Sequence, residues 1–270
     1  MTIAEALRDA AASLREIAER PRLEAEILLA HHLGCERTSL LLREGETLPR
    51  EEEFFALIER RKAHEPIEYI TNEVSFYSET FYIASGALIP RPETELLVEE
   101  VAHLIREKGL KRIAEIGVGS GALSVTLARI FPELKIVATD ISPEALSIAG
   151  VNAERFGVKD RIELRQSSLL DGVEAVEMIV SNPPYIPAGT ELEPNVADYE
   201  PETALYAPGD GTDLLRQIVL LGQERGIPIA CEMGYDQRAA MEGFFKEQGI
   251  EHYRFYKDLA GLDRGFLIND

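Results

Sequence analysis

From Arg91 onward, helical stretches alternate with the short β-branched runs Arg112–Ile116, Lys135–Thr139, Ile162–Leu164, Glu177–Val180, Pro228–Cys231, Tyr253–Tyr256 and Phe266–Ile268. No other feature of the sequence narrows the fold as far. Strands that each lead into a helix can pair side by side only through right-handed crossovers, so the pattern predicts an α/β domain: a mainly parallel, doubly wound sheet with helices on both faces.

The amino-terminal part has a different texture. Ile3, Leu7, Ala10, Leu14 and Ile17 recur at helical spacing behind Thr2, a residue suited to capping the free amides of a first turn. A second helix is expected from Pro21 to near Gly34 and a third from Glu51-Glu52-Glu53, where acidic side chains meet the positive end of the helix dipole. Val74, Phe76, Phe81 and Ile83, interrupted by Ser78-Glu79-Thr80, predict a β-hairpin. The expected organisation is a helical bundle over 1–70, a hairpin linker over 71–90 and an α/β domain over 91–270.

Composition restricts the partners. With 48 acidic and 28 basic residues the formal charge is −20, and such a chain repels polyphosphate unless its basic groups cluster. Nucleic acid is therefore a disfavoured ligand. Cys35 and Cys231 lack metal-site spacing, so neither a disulfide framework nor a zinc site is expected. The sequence has no basic start followed by an apolar run and no membrane-length apolar stretch, and a cytoplasmic location is the expectation.

Three motifs carry the chemistry. The first, Glu115-Ile116-Gly117-Val118-Gly119-Ser120-Gly121, lies between an expected strand and the helical run Ala122–Leu127. Its GxGxG spacing lacks the third glycine position of the dinucleotide fingerprint and has no P-loop lysine after it, which suits a nucleoside better than a pyrophosphate, although a purely structural turn reads the same way. The second is Asp140, about twenty residues on at the end of the next strand, where a carboxylate accepts from both ribose hydroxyls. Ser142 is placed to cap the following helix, which leaves Asp140 partly free for a ligand. The third is Asn182-Pro183-Pro184-Tyr185, again at a strand end. Two prolines remove backbone donors and leave carbonyls that only accept. A planar NH2 group can then donate one hydrogen to the Asn182 side-chain oxygen and one to the Pro183 carbonyl, with the Tyr185 ring over the nitrogen.

These three motifs resemble the cofactor and catalytic motifs of Rossmann-like class I methyltransferases, and the tetrad resembles that of enzymes that methylate amide or exocyclic amine nitrogens. Glu65–Ile70, Leu88–Glu95, Tyr199–Leu205 and Lys257–Gly261 resemble segments of the HemK/PrmC family, the release factor N5-glutamine methyltransferases. The resemblance covers most of the chain. It implies S-adenosylmethionine as cofactor and S-adenosylhomocysteine as product, with Glu115, Gly117, Val118, Gly119, Ser120, Gly121, Asp140, Ser168, Leu169 and Asn182 in the cofactor site and Asn182, Pro183, Pro184 and Tyr185 catalytic. No metal is implied. The implied substrate is the glutamine of the Gly-Gly-Gln loop of class I peptide chain release factors. The rival acceptors are a ribosomal-protein glutamine and a nucleic-acid adenine. The family commonly has an acidic residue after the third strand for the adenine, whereas this chain reads Gln166-Ser167-Ser168-Leu169. Separated by the hairpin from every cofactor motif, the segment 1–70 is expected to dock the protein substrate. Glu115 and Glu202 are the candidate site carboxylates, and the five histidines lie outside the motifs.

Overall fold

A computed structural model describes residues 1–269, which divide into two compact units. One comprises Met1–Glu73 with Leu192–Tyr199; the other comprises Val74–Glu191 with the chain from Glu200 on.

The first unit holds α1 (Ile3–Ser13), α2 (Pro21–Leu33), α3 (Glu51–Lys62) and α4 (Ile67–Thr71). Thr2 caps α1 in a reciprocal box: its hydroxyl accepts from the Glu5 amide at 3.2 Å, and the Glu5 carboxylate accepts from the Thr2 amide at 2.8 Å. The helix ends at Ser13, earlier than the apolar spacing suggests, yet Leu14 and Ile17 still pack on the core formed by Ile3, Leu7, Leu28, Phe54 and Ile58. Gly34 adopts φ 60° and ends α2, as a glycine at that position permits. The single turn of α4 is too short to show a period. Leu192–Tyr199, far away in sequence, belongs to this unit: the Tyr199 hydroxyl donates to the Ala63 carbonyl at 2.5 Å.

The second unit opens with β1 (Glu73–Phe76) and β2 (Glu79–Tyr82). The hairpin turn falls on Tyr77-Ser78, not on Ser78–Thr80. Both residues take positive φ, 51° and 61°, the signature of the two-residue turn whose twist matches its strands. The hairpin is no free linker, because Asn152 grips both the amide and the carbonyl of Tyr82 at 2.8 Å and Phe81 packs on Phe156.

Then follow α5 (Thr94–Lys108), β3 (Arg112–Ile116), α6 (Ala122–Ile130), β4 (Lys135–Asp140), α7 (Pro143–Arg155), β5 (Ile162–Gln166) and β6 (Ile179–Ser181). After β6 come β7 (Ile186–Pro187), the short α8 (Pro194–Ala197) of the first unit, α9 (Glu202–Leu205) and β8 (Tyr206–Ala207). The chain finishes with α10 (Asp213–Arg225), β9 (Ile229–Glu232), α11 (Arg238–Glu247), β10 (Tyr253–Lys257) and β11 (Asp263–Ile268). Strand β6 starts two residues later than expected, although the Glu177 amide already donates to the Arg112 carbonyl at 2.8 Å; the Glu177 carboxylate in turn accepts the Lys111 and Arg112 amides at 2.6 and 2.7 Å. The main sheet has the order β10-β11-β9-β6-β3-β4-β5 and is parallel except for β11, which is antiparallel to both neighbours. From β3 the crossovers run outward in opposite directions, first to β4 and β5, then to β6 and β9. Doubly wound sheets open a crevice for ligands where that reversal occurs.

Candidate active site

At the carboxyl ends of β3, β4, β5 and β6 lies a cavity of about 280 Å³, all of it within the second unit. Its first wall is the glycine turn. Gly117 and Val118 both donate to the Thr139 carbonyl, at 2.8 and 2.9 Å, which folds the turn back over β4. Gly117 and Gly119 take φ of 75° and 52°, and a Cβ at either would meet no protein atom within 4 Å. Both therefore offer bare backbone to the cavity. Gly121 has another role: it does not line the cavity, and a Cβ there would stand 3.1 Å from the Cα of Ala149, so its absence lets α6 lie against α7.

Asp140 ends β4 at the cavity wall. One carboxylate oxygen accepts from the Gly119 amide at 2.9 Å and the other from the Ser142 amide at 3.0 Å, while the Ser142 hydroxyl caps α7 through the Ala145 amide. Each oxygen retains a lone pair for a ligand hydroxyl. Ser168 and Leu169 line the wall beyond β5; Leu169 takes φ 48°, and its carbonyl accepts from the Thr139 hydroxyl at 2.7 Å. Beneath the turn lies Glu115, 4% exposed, its carboxylate held by a short bond from Ser124. Burial pushes this carboxyl up to about 8, the charge of Asp140 adds to the rise, and the Ser124 hydrogen bonds oppose it.

The other wall is built from distant pieces of chain. Ser181 pins β6 to β3 by donating to the Ile116 carbonyl at 2.7 Å, and Asn182 and Pro184 then face the cavity. The Asn182 amide nitrogen donates to the Thr94 hydroxyl at 3.0 Å, and that hydroxyl donates to the Glu232 carboxylate at 2.7 Å. Pro183 is buried and Tyr185 turns its hydroxyl away, to the second Glu232 oxygen at 3.2 Å; neither lines the cavity. Burial, then the neighbouring Glu232 charge, holds the Tyr185 phenol well above its usual range. Arg91, also on the wall, is paired at 2.6 Å with Glu200, whose other oxygen accepts the Ile89 amide at 3.0 Å.

The sequence motifs thus converge on one cavity, but two polar residues of its lining, Thr94 and Arg91, and Glu232 behind it carried no expected role. Thr94 and Arg91 lie in Leu88–Glu95, one of the segments that resemble the HemK/PrmC family. Glu232 had a local signal, an acid closing the apolar strand Ile229–Glu232. By contrast Glu202 is exposed and absent from the cavity lining, although its neighbours Thr203 and Ala204 are present. Among the described residues no cluster of His, Cys, Asp and Glu is arranged to hold a metal ion, and no helix is long and apolar enough to cross a membrane.

Known proteins resemble this chain in sequence and in fold. Residues 5–71 match the PrmC N-terminal domain and residues 92–199 the methyltransferase small domain. The release factor glutamine methyltransferase of Koribacter versatilis is 35% identical over 98% of this chain and 97% of its own length, and that of Moorella thermoacetica is 37% identical over 99% and 98%. The chain belongs to the family of release factor glutamine methyltransferases. Its Rossmann-like fold is that of class I methyltransferases: the hMettl16 catalytic domain, solved with a MAT2A 3′UTR hairpin, superposes with a TM-score of 0.57 over 70% of this chain and 74% of that one. At 17% identity that likeness concerns the fold alone.

Proposed function

We propose that the protein transfers a methyl group from S-adenosylmethionine to the side-chain amide nitrogen of the glutamine in the Gly-Gly-Gln loop of class I peptide chain release factors. Family membership supports the reaction. The observation that carries the choice of acceptor is the orientation of Asn182, whose amide nitrogen is spent on Thr94 so that its oxygen is left to accept. An oxygen acceptor on the cavity wall favours a neutral group that brings N–H donors, such as the planar NH2 that glutamine has and lysine lacks.

The cavity suits the cofactor on its own chemistry. Bare backbone at Gly117 and Gly119 admits close approach, Asp140 offers acceptors for ribose hydroxyls, and Leu123, Ile141 and Leu169 give apolar walls for a base. When bound, S-adenosylmethionine supplies an electrophilic sulfonium methyl and departs as S-adenosylhomocysteine. An amide nitrogen is a weak nucleophile because its lone pair is delocalised. The protein therefore contributes by alignment: the Asn182 oxygen accepts an amide hydrogen, which orients the lone pair and favours the positive charge that develops on nitrogen. Metal is not required. The amino-terminal helical unit we assign to docking of the release factor, and a location in the cytoplasm suits that substrate. The net charge of −20 disfavours nucleic acid as an alternative acceptor.

The test is mass spectrometry of the loop peptide after incubation of a release factor with the protein and labelled cofactor. Methyl should appear on the loop glutamine and vanish when that glutamine is replaced by glutamate, which has no N–H to offer. Methyl on a lysine, or an unmodified loop, would overturn the assignment.

A further inference from the structure

Glu232 is 2% exposed, sits at the carboxyl end of β9, and touches no part of the cavity. A buried carboxyl costs free energy unless its acceptors are used, and here both are: Thr94 donates to one oxygen, Tyr185 to the other. The consequence reaches Asn182 by counting hydrogens. A threonine hydroxyl has a single hydrogen, and Thr94 gives it to Glu232. Toward Asn182 it can then only accept, so the NH2 end of Asn182 must face Thr94 and the oxygen must face the cavity. Without this lock the amide has two orientations of similar shape, and the flipped one presents a donor to a donor.

We propose that Glu232 is a positioning residue for methyl transfer: acting through Thr94 it fixes the amide orientation of Asn182, and it anchors Tyr185 directly. The inference rests on the reading of Asn182 as the acceptor-holding residue given above.

The lock has a built-in proton dependence. Ionised Glu232 only accepts. Once protonated it donates to Thr94 or Tyr185, and a hydroxyl that receives this hydrogen turns its own elsewhere; at Thr94 that means toward Asn182, which must flip. Burial pushes the Glu232 carboxyl up to about 7, so the exchange falls in an accessible range. The Thr94 and Tyr185 hydrogen bonds oppose that rise. The charged and titratable groups around Glu232 are Glu93, which precedes α5 and raises it further, Arg264 on β11, which lowers it, and the phenols of Tyr185 and of Tyr256 on β10. Arg264 is itself paired with Asp258 at 2.8 Å, and Arg91 bears on Tyr185.

The experiment measures kcat, KM for a class I release factor, cofactor affinity and thermal stability against pH, using the full-length protein. Thr94→Val keeps shape and loses the hydroxyl; kcat should fall about 10- to 100-fold with cofactor affinity little changed, and Thr94→Ser should restore most of it. In the wild type kcat should decline toward tenfold per pH unit below about 7, while Thr94→Val should be flat there because no lock remains to be lost. If Thr94→Val proves unstable, Glu232→Gln decides: it has no proton to gain, so its acid limb near that pH should disappear. Full kcat in Thr94→Val, equal losses in Thr94→Val and Thr94→Ser, or a wild-type acid limb retained by Glu232→Gln would each overturn the proposal. Asn182→Ala run alongside separates the two ideas. If it methylates normally, the reading of the acceptor site fails; if it is inactive while Thr94→Val is normal, only the positioning role of Glu232 fails.

Discussion

The two walls of the cavity are made in opposite ways. The nucleoside wall is backbone: amides of the glycine turn, a carboxylate whose oxygens hold amides at 2.9 and 3.0 Å, and a carbonyl at Leu169. Its parts come from consecutive strand–turn–helix units, so each is formed once its own crossover is made. The acceptor wall is side chains: Asn182 and Thr94 line it, Glu232 and Tyr185 stand behind it, these four come from three separated pieces of chain, and Thr94 is 138 residues from its partner Glu232. Only the packed sheet brings them together. A wall of backbone holds a common cofactor with geometry that few side-chain substitutions disturb. A wall of interlocked side chains can be exact about donors and acceptors, but every member depends on the others.

Substitutions in the two walls should therefore separate binding from catalysis, and the largest effect should fall on the acceptor side. Asn182→Ala should retain cofactor binding while the methyl-transfer rate drops on the order of 100- to 1000-fold, the range for removing one preorganised transition-state contact. Single-turnover assays with saturating labelled cofactor check this, and a parallel loss of cofactor affinity would blur the distinction between the walls.

Next in size is Asp140→Ala, which removes a charged acceptor from the nucleoside wall. Cofactor affinity should fall roughly 10- to 150-fold, the equivalent of about 1.5 to 3 kcal/mol. Part of the loss belongs to the freed Gly119 amide, since the carboxylate also fixes the turn. Calorimetry on the folded variant returning wild-type affinity would detach Asp140 from the ligand.

A third variant, Glu115→Gln, probes the buried acid of the nucleoside wall through stability. The folded value of about 8 lies above the ordinary 4.5, so the stability contributed by the neutral carboxyl is complete below about 4.5 and is lost as pH rises to about 8. Glutamine is neutral in both states. The variant should gain on wild type across that window by at most about 1.4 kcal/mol per pH unit, and the gain should stop growing above it. Urea melts of the unliganded proteins at a series of pH values measure the difference; curves that stay parallel from pH 5 to 8 would mean that Glu115 is ionised in place.

The smallest effect is expected from Tyr185→Phe. Its ring remains and one net hydrogen bond to Glu232 is lost, so kcat should fall by roughly 2- to 10-fold, corresponding to about 0.5 to 1.5 kcal/mol. The companion readout is the acid limb, which should move to higher pH because Glu232 loses a donor that stabilises its charge. An unmoved limb would make Tyr185 a packing residue.

The parts that could be read from the sequence are those whose physics is local. The crossover pattern, the glycine turn, the cap at Ser142 and the acid at a strand end all depend on residues within one strand–turn–helix unit, and spacing alone exposes them. The capping box at Thr2 and the stop at Gly34 are local in the same sense. Turn placement in the hairpin was less legible, because Tyr77-Ser78 is not a typical pair for positive φ; its amide is taken by Glu95 at 2.7 Å, a contact made only after α5 is in place.

What the tertiary structure decided is which way the polar groups face. From sequence, Asn182 is an amide at a strand end with two possible orientations, and Glu232 is one acid among 48 acidic residues. Its place at the end of an apolar strand marks an acid at the sheet edge but does not say which groups it meets, and Glu202, the other acid singled out, is exposed. The sheet order places β9 beside β6 and so sets Glu232 beneath the tetrad, where α5 brings Thr94 between them. The motif itself supplies the groups needed to hold an amide. Their donor and acceptor sense is settled by the hydrogen count of a threonine almost ninety residues upstream, because a buried hydroxyl with one hydrogen must choose between its neighbours.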